Sequence, residues 1–292
     1  MDFRQHLARE ISAHSGRPFH PTDTGHIAGG CINQALKLSD GEQHWFVKTN
    51  SADLIDMFEA EAEGLNALAA SHTIKAPQAL CSGVHGDTAY IVIDYIAQGR
   101  AGKDSSRLAG EQLAAMHRCT ADRFGWHRDN TIGANPQRNA WHDDWIDFWH
   151  EQRLGFQLEL AARNGHRGRL QSRGEQLLVR FSALIDHAPD ASLLHGDLWG
   201  GNMLFDQNGQ PVIFDPAVYY GDREAELAMT ELFGGFSADF YAAYNAAWPL
   251  DDGYRVRKQL YNLYHILNHL NLFGSGYAGQ AQSMIDSLLS QC

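Results

Sequence analysis

Residues 193–215 read LLHGDLWGGNMLFDQNGQPVIFD, and this stretch decides the fold. A short apolar run ends at Leu194 and leads into His195-Gly196-Asp197-Leu198. Asn202 follows a glycine-rich turn, and a second apolar run closes on Asp215. Gln207-Asn208-Gly209 has turn-forming composition, so 203–215 reads as a β-hairpin. A hairpin returns its far end toward its start, which gathers Asn202 and Asp215. Carboxylate and carboxamide oxygens are hard donors, suited to a divalent cation such as Mg²⁺.

The pattern His-x-Asp-x4-Asn, with an Asp at the end of a later strand, resembles the catalytic loop and metal-binding strand of protein kinases. An isolated His-Gly-Asp would be an ordinary turn or cap. Three chemical roles at this spacing are far more specific. One carboxylate, Asp197, must reach an acceptor hydroxyl. Asn202 and Asp215 must reach Mg²⁺ beside the β- and γ-phosphates of ATP.

Working outward, the first third of the chain supplies what such chemistry needs. Residues 26–38 and 43–49 are strand-like, with a turn at Ser39-Asp40-Gly41. Gly29-Gly30-Cys31 lies within the first of these, where backbone N–H groups can approach phosphate. Alone, such a glycine pair is a plain turn. Lys48 ends the run Trp45-Phe46-Val47, as the phosphate-contacting lysine of kinases does. A helix is predicted over about 55–70, with Phe58, Leu65 and Leu68 on one face. Glu61 falls on that face and needs a partner there; Lys48 is the natural one. Glu59 and Glu63 point away and read as solvated. Residues 88–96 form a third strand, and Asp94, Tyr95 and Ile96 at its exit occupy the place of a hinge offering backbone groups to adenine.

Beyond residue 97 the character becomes helical, with a helix at 105–118, a polar loop at 122–139 and another helix from near Trp141. The expected architecture is α+β and bilobal: a β-rich lobe over 1–96 and a helical lobe over 97–292. The chain has 292 residues, and 35 acidic against 23 basic residues give a charge of −12. That balance argues against nucleic acid or an anionic membrane as a partner. The four cysteines form no Cys-x-x-Cys pair, which fits neither a disulfide framework nor a zinc cage and suits a reducing cytoplasm. The first residues carry charges inside every apolar run, unlike a signal peptide. No stretch approaches the roughly 20 apolar residues of a spanning helix.

HGDLWGGN, FDPAVYYGDREAELAM, DNTIGANPQRNAW and LYHILNHLNLFGSGY together resemble the fructosamine (ketosamine) kinase family, related to the aminoglycoside and choline kinases. The resemblance runs from about residue 29 to about 278. It implies a protein-kinase-like fold and ATP-dependent phosphorylation of a ketoamine hydroxyl, typically at C3, on fructosamine-like or ribulosamine-like adducts. That phosphorylation labilises the adduct, which links the family to deglycation. The implied roles are Asp197 as the catalytic carboxylate, Asn202 and Asp215 as metal ligands, and Lys48 with Glu61 at the phosphates. Cys31, in the glycine turn, becomes a candidate redox switch. Glu226 departs from the Asp expected there; it would hold the catalytic loop backbone with a longer reach.

Two absences favour a small acceptor over a protein substrate. Gly196 replaces the Arg that would read an activation-loop phosphate, and Pro216-Ala217 leads almost at once to Gly221-Asp222. Trp199, inside the catalytic loop, is a candidate wall of the sugar site, and Asp222 a candidate substrate contact. Trp141, Trp145 and Trp149 read as a core stripe on a helix, and His195 as a brace for the loop. His265 and His269 have zinc-like spacing but no third ligand. An aminoglycoside-, choline- or homoserine-type kinase, or a nucleotide-binding pseudokinase, stays open, as do the choice of free or protein-bound ketoamine and the oligomeric state.

Overall fold

The computed structural model describes residues 2–27 and 33–292. Two compact units are formed, Met1–Ser105 with Leu204–Pro216, and Ser106–Met203 with Ala217–Cys292.

The first unit begins with helix α1 (Phe3–Ser15). It continues through strands β1 (Asp23–Ile27), β2 (Gln34–Ser39) and β3 (His44–Ser51). Helix α2 (Ile55–Ala70) separates these from β4 (Ala79–His85) and β5 (Thr88–Asp94). The sheet is antiparallel with order β1-β2-β3-β5-β4. Side chains alternate across a strand, and here the two faces have different partners. Val47, Tyr90 and Val92 pack with Leu7 and Ile11 of α1. Phe46, Ile91 and Ile93 pack with Phe58 and Leu65 of α2. Lys48 lies two residues from Phe46 and opposite Ile91, so its side chain belongs to the α2 face.

The expected division at 96/97 differs from these units. Residues 98–105 and 204–216 belong together because they bond to each other. Gly99 N–H donates to the Phe205 carbonyl at 2.8 Å. The Ser105 hydroxyl donates to the Gly209 carbonyl at 2.6 Å. The hairpin strands Met203–Phe205 and Pro211–Ile213 pair as the turn residues predicted. Lys75 fastens them, donating to Asp206 at 2.8 Å.

The second unit continues helix α3 (Ser105–His117). A three-stranded sheet sets Ala191–Leu194 between Tyr219–Gly221 and Thr120–Ala121. The helix Tyr254–Phe273 is the centre of the unit: Leu260, Leu263, Tyr264, Ile266 and Leu267 are all buried, so it is apolar on nearly every face. The loop expected over 122–139 contains a small hairpin, Asn130–Ile132 with Asn135–Gln137. The helix expected near Trp141 starts at Trp145, where Asp144 accepts the N–H groups of Ile146 and Asp147. Trp145 and Trp149 are buried, as a core stripe requires. Trp141 lies before the helix and stacks on Tyr220. Among the described residues, no helix is long and apolar enough to cross a membrane.

Candidate active site

In the first unit the predicted lysine pair forms. Lys48 Nζ donates to Glu61 Oε1 at 2.5 Å and to Asp215 Oδ1 at 2.5 Å. Burial works to lower the lysine pKa, but the Glu61 and Asp215 carboxylates overturn this and raise it, so the ammonium stays charged. Burial pushes Glu61 up, against the pull of Lys48. Asp215 has φ +58°, in the left-handed region. An Asp tolerates that region better than a branched residue. Its side chain is 45% exposed, so it meets Lys48 and still faces solvent.

At the exit of β5, Asp94 N–H donates to the Gln78 carbonyl and Tyr95 N–H to that of His44. Gly29, Gly30 and Cys31 lie outside the described residues. The other three cysteines are free thiols; burial pushes Cys81 up to about 11, away from the thiolate.

In the second unit the strand Ala191–Leu194 delivers the loop that carries Asp197, and buried Leu198 anchors it. Gly196 has φ +83°, and a Cβ there would stand 2.0 Å from the Ala217 carbonyl oxygen. No side chain fits at Gly196 in this backbone. Asn202 Nδ2 donates to the Asp197 carbonyl at 2.9 Å and lies 3.4 Å from its carboxylate. The amide nitrogen is thus turned to Asp197, which leaves the amide oxygen as the atom of this side chain suited to a cation. Asn202 in the second unit and Asp215 in the first each carry an oxygen of the hard type that suits Mg²⁺.

Glu226 holds the loop, as the sequence suggested. Its Oε1 accepts Gly196 N–H at 2.7 Å and its Oε2 accepts His195 N–H at 3.1 Å. Burial alone would raise its pKa, but His117, His195 and the Gly196 N–H hold it below the usual carboxylate range. His117, at 0% exposure, bonds Glu226 Oε2 at 2.9 Å and Tyr244 at 2.7 Å. Sequence reading missed His117; its only signal was a polar residue on the last turn of an amphipathic helix. His195 braces the loop, its Nδ1 accepting Asp197 N–H at 3.3 Å.

Trp199 is 40% exposed, and its indole lies over Gly201, 2.3 Å from where a Cβ would stand. Asp222 is not an open substrate contact. It is 1% exposed. One oxygen caps the helix Arg223–Leu232 through Glu224 N–H, and the other accepts from Tyr261 and bonds His187. His187, Asp222 and Glu224 cluster closely among the described residues. Glu224 already receives the Arg257 guanidinium through both oxygens, so Arg257 supplies the positive charge there. His269 Nδ1 bonds the His265 carbonyl at 2.8 Å, and burial lowers His265 to about 3; the pair reads as neutral helix histidines.

Comparison with known proteins defines the class first. Aminoglycoside phosphotransferase APH(4)-Ia, crystallised with ADP and hygromycin B, superposes with a TM-score of 0.64 at 15% identity, covering 97% of this chain and 98% of that one. The fold is therefore α+β and protein-kinase-like, a β-sheet unit with a helical unit. The fructosamine kinase family model then matches residues 3–291: the chain belongs to the fructosamine kinase family. A Synechocystis protein named "Probable ketoamine kinase slr1563" is 49% identical, over 98% of this chain and 96% of that protein. The chloroplastic protein-ribulosamine 3-kinase of Arabidopsis thaliana is 41% identical, over 96% of this chain and 87% of that protein. The crystal structure of a Haemophilus somnus protein named "Putative fructosamine-3-kinase" has a TM-score of 0.88 at 28% identity, covering 97% and 96% of the two chains.

Proposed function

We propose that the protein is an ATP-dependent kinase that phosphorylates a sugar hydroxyl, at C3, of ketoamines such as fructosamine or ribulosamine adducts of amines. The observation that carries this reading is the double engagement of Lys48. One of its carboxylates, Glu61, is the partner expected of a phosphate-contacting lysine. The other, Asp215, ends the hairpin that begins just after Asn202.

In this reading Asp197 accepts a hydrogen bond from the acceptor hydroxyl, orients it, and takes its proton late in the transfer. Lys48, fixed by Glu61, contacts the nucleotide phosphates, and the Asp94–Ile96 segment receives adenine through its backbone. Gly29 and Gly30 supply N–H groups to the phosphates. Asn202 and Asp215 would hold Mg²⁺, which when bound would offset the charge of the phosphates. Glu226 and His195 keep the Asp197 loop in place, so most of the rate enhancement is positioning and electrostatics. Trp199 offers an indole face to the sugar. Cys31 stays the candidate redox switch named from the sequence, against the alternative of a small buried residue. The free cysteines suit a reducing compartment, and we assign the protein to the cytoplasm.

The test is a panel of free and peptide-bound ketoamines incubated with ATP and Mg²⁺. A gain of one phosphoryl mass on a ketoamine, located by NMR to C3, supports the reading. ATP binding with no transfer to any acceptor would instead mark a regulatory nucleotide-binding protein. Transfer confined to aminoglycosides, choline or homoserine would reassign the acceptor.

A further inference from the structure

We propose that Gln137 and Asn130 form a clamp that positions the loop bearing Asp197. This rests on the reading of Asp197 given above and adds residues to it. Gln137 is 1% exposed and lies in the small hairpin of the second unit. Its Nε2 donates to the Ala217 carbonyl at 2.9 Å and to Asn130 Oδ1 at 2.9 Å. Its Oε1 accepts the Tyr264 hydroxyl at 2.8 Å. Asn130 Nδ2 donates to the next carbonyl, Val218, at 2.8 Å. Two side-chain amides thus grip two consecutive peptide carbonyls.

Ala217 is also the residue against which the loop rests. Ala217 N–H donates to the His195 carbonyl at 2.8 Å. The Ala217 oxygen is also the atom that leaves Gly196 no room for a Cβ. Glu226 holds the N–H groups of His195 and Gly196, and Ala217 holds the carbonyl side. If the Ala217 peptide turns, Gly196 must move, and Asp197 with it. Buried support makes the clamp rigid. Asn139 Nδ2 donates to Asn130 Oδ1 at 3.0 Å, and fully buried Arg153 donates to Asn139 Oδ1 at 2.8 Å. Gln137 and Asn130 are therefore positioning residues that act through Asp197. Displacing a reacting group by about 1 Å costs on the order of 100-fold in rate.

The test is a kinetic double-mutant cycle on the full chain, read by single-turnover phosphoryl transfer. Gln137→Leu removes both donors, and Gln137→Glu keeps the size while turning an oxygen toward two acceptors. Each is expected to lower kcat by about 10- to 100-fold with KM for ATP within about twofold. On an Asp197→Asn background, Gln137→Leu should add less than about threefold, because the group it positions is gone. Should the Gln137 variants not fold, Tyr264→Phe and Asn130→Ala each release one arm of the clamp and should lower kcat with the same selectivity. A folded variant with wild-type kcat, or a loss that multiplies fully on the Asp197→Asn background, overturns the clamp. Undiminished turnover in Asp197→Asn alone overturns the underlying assignment instead.

Discussion

The Glu226 carboxylate accepts the backbone N–H of Gly196 at 2.7 Å while itself 2% exposed. A buried carboxylate is tolerable only when its charge is answered. Here two loop N–H groups and His117 answer it. Glu226→Ala would leave those donors unpaired and is expected to cost about 3–5 kcal/mol. Chemical denaturation at neutral pH measures this.

The same carboxylate gives a pH dependence with a definite sign. Its pKa in the folded protein lies below the ordinary 4.5. Its contribution is therefore fully present above that ordinary value and is lost as pH falls through the lower folded value. Denaturation from pH 7 to pH 3 should show wild type losing more stability in the acid range than Glu226→Gln. Equal slopes would mean that the charge of Glu226 is not held by these bonds.

Lys48 should show itself in nucleotide use. Its charge-assisted bonds to Glu61 and Asp215 fix the ammonium, and such bonds contribute roughly 1.5–3 kcal/mol each. Lys48→Met is expected to weaken transfer from ATP by at least about tenfold, with Glu61→Gln a milder version of the same defect. Steady-state kinetics against ATP check both; a Lys48→Met enzyme with wild-type kcat/KM for ATP removes lysine from the reaction.

Removal of divalent metal with a chelator should abolish transfer, and Mg²⁺ should restore it. Asp215→Asn and Asn202→Ala should each raise the Mg²⁺ concentration needed for half-maximal rate by about 10- to 100-fold, the range seen when metal-site groups are altered. Metal titration of the rate makes the comparison.

The hairpin offers a control for stability alone. Lys75 is 47% exposed, so its pair with Asp206 contributes about 0–1 kcal/mol. Asp206 Oδ1 also accepts the N–H groups of Asn208 and Gln210, at about 0.5–1.5 kcal/mol each. Asp206→Ala should therefore destabilise more than Lys75→Ala, as thermal melts would record.

Local periodicity explains which parts were legible from the sequence. Lys48 and Glu61 could be paired because strand alternation and helix spacing put both on one packed face. The hairpin was legible from its Asn-Gly turn, whereas Glu226 was found only through the family resemblance. Helix α1 was not, because its buried side is only His6, Leu7 and Ile11 amid polar residues. Strand β4 was hidden by Gly83 and a bulge between Ala79 and Cys81; Gly83 is there to admit the Tyr90 ring. Asp222 was misread because sequence does not distinguish a buried helix cap from an open carboxylate. Gln137 stood in a loop whose side-chain directions only the folded chain defines.

The most direct measurement of the central claim is single-turnover phosphoryl transfer by Asp197→Asn, with ATP affinity determined on the same sample. The account predicts ATP affinity within about threefold of wild type and transfer slowed by about 100- to 10,000-fold, the range for a lost general base. Transfer at the wild-type rate would contradict it.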